Sequence, residues 1–249
     1  CRNFSREFAE RTADIFASNG FKVYLFESLR PTPELSFAIR ELGCKSGVMV
    51  TASHNPREYN GYKAYWEDGA QLPPEHASTV YEEICKTDIF SDVKRIDFDK
   101  AVADGKIKIL GAEMDALYLA QVEAQAVNPD AVKAVADELK IVYTPLHGTG
   151  HKLIPEIFER IGLKHLYKVE EQFVIDGNFP TVKKPNPEYP EVFTYGIDLA
   201  NKVPIGLALG SKNRQTKALV KKCHFEDNVG EYGGAVDLFK FNKKISQNT

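Results

Sequence analysis

Val48-Met49-Val50-Thr51-Ala52-Ser53-His54-Asn55-Pro56 is the stretch from which the rest of the chain can be read. A short apolar run ends in small and polar residues, and the proline that closes it resists helix continuation. The pattern predicts a buried strand that hands a serine hydroxyl to a loop at its carboxyl end, where open α/β sheets place ligands. Glu58-Tyr59-Asn60-Gly61-Tyr62-Lys63 then turns the chain into an alternating strand, Tyr62 to Trp66, that carries one lysine. One short segment thus supplies a hydroxyl, an imidazole and an ammonium: Ser53, His54 and Lys63. An isolated Ser-His pair would read as an ordinary surface loop. The length of the whole string is what sets this one apart.

Upstream, Ser5 to Ser18 has helical period, with Phe8, Ala9, Thr12, Ile15 and Phe16 on one face and Asn19-Gly20 as the stop. Phe21 to Phe26 reads as a strand. The Arg30-Pro31-Thr32-Pro33-Glu34 turn opens a helix from about Pro33 to Leu42, ended by Gly43. The order strand, helix, strand with short links predicts a largely parallel sheet packed by helices.

Downstream, Pro73 to Lys86 is helical, 87–105 is a charged loop with one short helix, and Lys106 to Leu110 is a strand. Ala112 to Ala126 is an amphipathic helix with Met114, Leu117, Tyr118, Gln121 and Val122 on one face. A domain boundary is placed near Gly111. A second strand-turn-helix unit follows, from Leu139 through Pro145-Leu146-His147-Gly148-Thr149-Gly150 to Ile161. That turn lacks the spacing of a nucleotide P-loop. His147 and His151 lie four apart, but the first precedes the helix, so both read as structural or exposed. The prolines of 176–188 mark an irregular, stiffened loop. Glu191 to Lys202 is a helix, and the apolar run Pro204 to Ser211 could open a strand of a third domain.

The 249 residues suffice for two domains that each bury a core, and the net charge of −3 is slight. No basic block interleaves with aromatics, which argues against nucleic acid, and no apolar stretch has the length of a membrane span. The four cysteines, Cys1, Cys44, Cys85 and Cys223, form no C-x-x-C pair, so reduced thiols in a cytoplasmic protein are expected. The chain begins without methionine and reads as part of something longer.

Thr51-Ala52-Ser53-His54-Asn55-Pro56, followed by Asn60-Gly61-Tyr62-Lys63, closely resembles the phosphoserine loop of the α-D-phosphohexomutases. Three further stretches are similar to that family: the Arg30 to Glu34 turn, the Tyr143 to Gly150 turn, and Asp176-Gly177-Asn178-Phe179-Pro180 continuing to Glu188. The resemblance runs from the first residues to about Val203. It implies two mixed-sheet α/β domains, 1–111 and 112–203, and a divergent or incomplete segment, 204–249. By the same resemblance Ser53 is the phosphoserine and contributes one oxygen to Mg2+. His54 and Lys63 would supply proton transfer and charge stabilisation, as a lysine can when neighbouring cations or desolvation lower its pKa. Asn55 and Asn60 would shape the loop.

The substrate implied is a phosphosugar, with a sugar bisphosphate as activator, and the reaction moves phosphate between the 1- and 6-positions. The wording of Glu58 to Lys63 and Glu67-Asp68-Gly69 leans towards the branch acting on glucose and pentose phosphates. Two family features have no match here: an early strand and loop bearing a phosphate-binding arginine, and an acidic loop whose three aspartates hold the metal. Lys212-Asn213-Arg214-Gln215-Thr216-Lys217 stands where that loop is expected. An altered or misread end, a divergent local ending and an assembly-specific segment all remain open for the tail. Two functions follow: a phosphoglucomutase or phosphomannomutase whose chain alone is inactive, or a non-catalytic two-domain fragment acting as a binding module. A serine hydrolase ranks far behind, because there is no G-x-S-x-G elbow and no evident acid partner for His54.

Overall fold

The computed structural model describes residues 1–203 in full and, as backbone strands, 207–212 and 215–220. The chain divides into two compact units, residues 1–127 with 175–178, and 128–174 with 179–249.

The first unit runs α1 (Ser5–Ser18), β1 (Val23–Phe26), α2 (Thr32–Glu41), β2 (Ser46–Val50), β3 (Tyr62–Trp66), α3 (Pro74–Lys86), α4 (Phe98–Ala103), β4 (Ile107–Leu110) and α5 (Ala112–Glu123). Pro33 sits in the first turn of α2, where its missing N–H costs nothing, and Asp97 caps α4 by accepting from the Lys100 N–H. β1 pairs in parallel with β4, and β2 pairs antiparallel with β3. The expected β1-α2-β2 sheet is therefore corrected: the two strands lie in separate two-stranded sheets. For the same reason β2 is half-buried rather than buried, since it has one strand neighbour among the described residues.

Alternation along β1 sends Val23 and Leu25 into a cluster with Ala13, Ala17, Ala101 and Ile107. Tyr24 and Phe26 pack instead with Ala38, Leu110 and Met114. The buried residues of α1 are Ser5, Ala13, Asp14 and Ala17, not the aromatic side chains. Small side chains let the helix axis approach the strands closely, whereas Phe8 and Phe16 stay on the outside and pair with Phe4 and Phe21.

Helix α5 packs with the first compact unit, whose main stretch ends at Val127. It buries Met114, Asp115 and Leu119, while Leu117 and Val122 are exposed. The rotation away from the apolar face read from sequence follows Asp115, whose carboxylate accepts from the buried Arg30 guanidinium, one bond being 2.9 Å.

The second unit runs α6 (Pro129–Val135), β5 (Lys140–Thr144), α7 (Gly150–Arg160), β6 (His165–Lys168), α8 (Glu170–Phe173), a 3-10 turn (Pro190–Phe193), α9 (Thr194–Lys202), β7 (Leu207–Lys212) and β8 (Gln215–Val220). Its sheet has the order β6-β5-β7-β8, parallel except for the last pair. The strand expected to open a third domain is thus β7, in register with β5 of this unit, Ile141 opposite Leu207. β5 has strands on both edges, and Ile141, Val142 and Tyr143 are 1–2% exposed. His147 is fully buried and structural: its ring nitrogens lie 2.7 Å from the Val174 carbonyl and 2.8 Å from Thr181 Oγ1.

Candidate functional site

Three residues beyond β2, Ser53 adopts a left-handed backbone, φ 55°. A non-glycine residue held there stores roughly 1–3 kcal/mol of strain, which surrounding contacts must offset. Two local bonds do part of this. The Ser53 N–H donates to Thr51 Oγ1 at 3.1 Å, and the Asn55 N–H closes the turn onto the Ala52 carbonyl at 3.1 Å. Ser53 and His54 are both half-buried within a loop whose next five residues are exposed.

The loop is fastened from two sides. Arg2, 5% exposed, donates from Nη2 to the carbonyls of Asn55 and Pro56, each at 2.7 Å, and from Nε to the Tyr59 carbonyl at 3.1 Å. Burial pushes the Arg2 guanidinium below its ordinary value, with the Glu58 carboxylate opposing that fall. On the other side Asn60 Oδ1 accepts from the Gly61 N–H at 2.8 Å. Its Nδ2 donates to the Asn3 carbonyl at 2.9 Å and to Ser5 Oγ at 3.1 Å. Gly61 then bonds Thr51 directly, carbonyl to N–H at 2.9 Å. A Cβ on Gly61 would lie 2.8 Å from the Thr51 carbonyl oxygen, so only glycine fits at that approach.

Lys63 lies on β3 opposite Met49, two residues from the Thr51–Gly61 bond, and is half-buried. In an antiparallel pair opposite residues share a face. Lys63 is therefore on the face of Met49 and Gly47, the face against which Leu35 and Ile39 of α2 pack at Gly47. The expected loop-shaping role is met by the Asn60 side chain; Asn55 contributes its carbonyl to Arg2. The Arg30 to Pro33 turn leads from the end of β1 into α2, with Arg30 pinned by Asp115, Glu27 and Ser28.

Arg2 was not singled out from the sequence. Its signal there is only a cation just ahead of a helix, and its partners are carbonyls more than fifty positions away. Among the described residues no group of three or more His, Cys, Asp or Glu side chains is placed to hold a metal. Magnesium requires a near-octahedral oxygen shell, commonly including carboxylates. A lone Ser53 oxygen does not provide that shell. The side chains of Lys212 to Lys217, and the stretch from 221 to Thr249, lie outside the described residues. Among the described residues, no helix is long and apolar enough to cross a membrane.

Residues 1–89 match the family model for phosphoglucomutase/phosphomannomutase alpha/beta/alpha domain I, and residues 116–211 match that for domain II. A phosphoglucomutase of Staphylococcus saprophyticus is 36% identical over 84% of this chain and 37% of its own length. One from Staphylococcus epidermidis is 33% identical over 99% of this chain and 44% of its own. The chain therefore spans about two-fifths of the length of these relatives. In fold it is similar to a Thermus thermophilus structure with a provisional phosphomannomutase name, TM-score 0.71 at 22% identity, over 88% of this chain and 46% of that one. The parafusin phosphoglucomutase of Paramecium, in its open form, gives a TM-score of 0.66 at 18% identity, over 88% and 44%. With both of the family's first two domains matched in order, this chain belongs to the phosphoglucomutase/phosphomannomutase family.

Proposed function

We propose that the chain carries the phosphoryl-donor half of a phosphohexomutase, with Ser53 as the residue that holds the phosphate. The observation that carries this reading is the Ser53 turn, kept in a strained conformation by Arg2, Asn60 and Gly61 at the end of a strand. Transfer of phosphate depends mostly on position and electrostatic stabilisation, so a rigid donor turn is what the chemistry requires.

In the forward half-reaction the phosphoserine O–P bond breaks as a bond forms from phosphorus to a hydroxyl of the sugar phosphate. The sugar becomes a bisphosphate and Ser53 a free hydroxyl. In the return half the phosphate at the other position passes to Ser53, so the phosphate count is unchanged and the net result is an isomerisation. Lys63 and His54 are assigned proton transfer and charge stabilisation at the transferring group. Mg2+ is the family's expected cofactor, and the described residues offer it too few ligands. The substrate is read as a phosphosugar, and the Glu58 to Lys63 and Glu67 to Gly69 wording leans towards the branch acting on glucose and pentose phosphates.

A second reading, a folded two-domain fragment that binds without turning over, is favoured by the shortage of metal ligands among the described residues. The test is incubation of the 249-residue chain with glucose 1,6-bisphosphate and magnesium, followed by peptide mass spectrometry and a coupled assay. Phosphate on Ser53, absent in Ser53→Ala, with little or no conversion of glucose 1-phosphate, is expected. Phosphate only at other positions, or none, overturns the donor assignment. Robust turnover that chelation removes overturns the inactivity of the chain alone.

A further inference from the structure

One fastening of the Ser53 loop runs through Asn3, whose carbonyl accepts from Asn60 Nδ2 at 2.9 Å. Asn60 Oδ1 holds the Gly61 N–H at 2.8 Å, and the Gly61 carbonyl holds the Thr51 N–H at 2.9 Å. Thr51 Oγ1 then accepts from the Ser53 N–H at 3.1 Å. The place of the Ser53 turn thus depends on where the short arm of Arg2 and Asn3 lies.

Helix α1 does not fix that arm by itself. Phe4, between the two, has a left-handed backbone, φ 62°, and such strain persists only where surrounding contacts over-determine it. The Phe4 side chain is 66% exposed, so the constraint falls on its neighbours. Arg2 grips the loop carbonyls, and Asn3 has partners of its own.

Those partners lie in Ile175–Asn178, which packs with the first unit although the chain on either side of it belongs to the second. Asn178 Oδ1 accepts from Asn3 Nδ2 at 3.2 Å. Asp176 Oδ1 accepts from the Asn178 N–H at 2.8 Å, a local turn that presents the Gly177 backbone. A Cβ on Gly177 would lie 2.7 Å from the Asn3 backbone nitrogen, so the approach of the two backbones requires glycine. Asn3 is therefore met at its nitrogen by Gly177, at its side chain by Asn178 and at its carbonyl by Asn60.

We propose that Gly177 and Asn178 are positioning residues for the Ser53 turn, acting through Asn3 and Asn60. The proposal rests on the reading of Ser53 as the residue that holds the phosphate. Gly177 and Asn178 set the place of the Asn3 carbonyl, on which the Asn60 bond hangs. A reacting group misplaced by about 1 Å can lose roughly a hundredfold in rate, so a small shift of this seat is enough to matter.

The test compares the 249-residue chain with Gly177→Ala, Asn178→Leu, Asn178→Asp and Ala120→Gly. Amide exchange is followed at Ser53 and Gly61, and Ser53 phosphorylation is timed over a concentration series of glucose 1,6-bisphosphate with magnesium. Gly177→Ala should speed exchange at both amides by at least about tenfold. It should also slow phosphorylation at saturating bisphosphate by about tenfold or more, with the half-saturating concentration within about twofold of the parent. Asn178→Leu should act in the same direction by about two- to fivefold, and Asn178→Asp, which keeps an acceptor for Asn3 Nδ2, should restore the parent values. Ala120→Gly weakens an exposed position of α5 in the same unit and should leave both readouts within about twofold. Unchanged exchange in Gly177→Ala, an equal effect of Ala120→Gly, or no rescue by Asn178→Asp overturns the proposal. So does a loss seen only as a raised half-saturating concentration. If Gly177→Ala does not fold, the Asn178 pair decides the matter. Absence of phosphate on Ser53 in the parent overturns the donor reading alone, and the two amides then decide whether Gly177 and Asn178 hold the turn.

Discussion

Replacing Arg2 with alanine should loosen the Ser53 loop without unfolding its unit. Arg2 donates three hydrogen bonds to main-chain carbonyls of that loop, two of them at 2.7 Å. A hydrogen bond involving a charged group contributes about 1.5–3 kcal/mol when its partner stays buried, and nearer ~1 kcal/mol when water can replace it. Asn55, Pro56 and Tyr59 are exposed, so water replaces the guanidinium and the lower figure applies to each carbonyl. The expected loss is roughly 2–3 kcal/mol of local stability, or about a 30- to 150-fold increase in local opening. Amide exchange at Asn55 and Tyr59, whose N–H groups close the turns at 52–55 and 56–59, reads that opening directly. Arg2→Lys should recover only part of the loss, because one ammonium cannot copy a planar fork that meets three carbonyls. Exchange at both amides within about threefold of the parent, in a variant with unchanged helix content, would refute the claim that Arg2 holds this loop.

Gly61→Ala places a Cβ 2.8 Å from the Thr51 carbonyl oxygen and should destabilise the first unit by about 1–3 kcal/mol in urea unfolding. Arg30→Leu leaves Asp115 and Glu34, both nearly fully buried, without their shared cation. A loss of about 3–5 kcal/mol is expected in the first unit's unfolding transition, and a loss under about 1 kcal/mol would contradict it. Cys85 is exposed, whereas burial pushes the Cys44 thiol above its ordinary value. Mass-resolved alkylation at mildly alkaline pH should therefore modify Cys85 well before Cys44, since the thiolate is the reacting form.

Much of the local structure was legible because local patterns specify it. The period of Ser5 to Ser18 and the alternation of Tyr62 to Trp66 mark the helix and strand at the bounds observed. The Ser53-His54 string, with Lys63 ten residues on, marks the candidate site through residue type and spacing alone. Short elements escaped this reading: α6, β6 and α8 have four to seven residues, too few to show a period.

What only the tertiary structure decided depends on residues far apart in the chain. The face that α1 buries was set by how closely Ala13 and Ala17 let it approach the strands, not by its most apolar side chains. Helix α5 joined the first unit because Arg30 draws Asp115 inward across 85 positions. The Ser53 loop owes its shape to Arg2 and Asn60, whose carbonyl partners are invisible to any pattern of side chains. Pairing is non-local in the same way: two strands joined by a helix read as neighbours, yet β1 found β4 and β2 found β3. Residue type and period determine which segments form strands, and only the three-dimensional packing of their edges decides which strands meet.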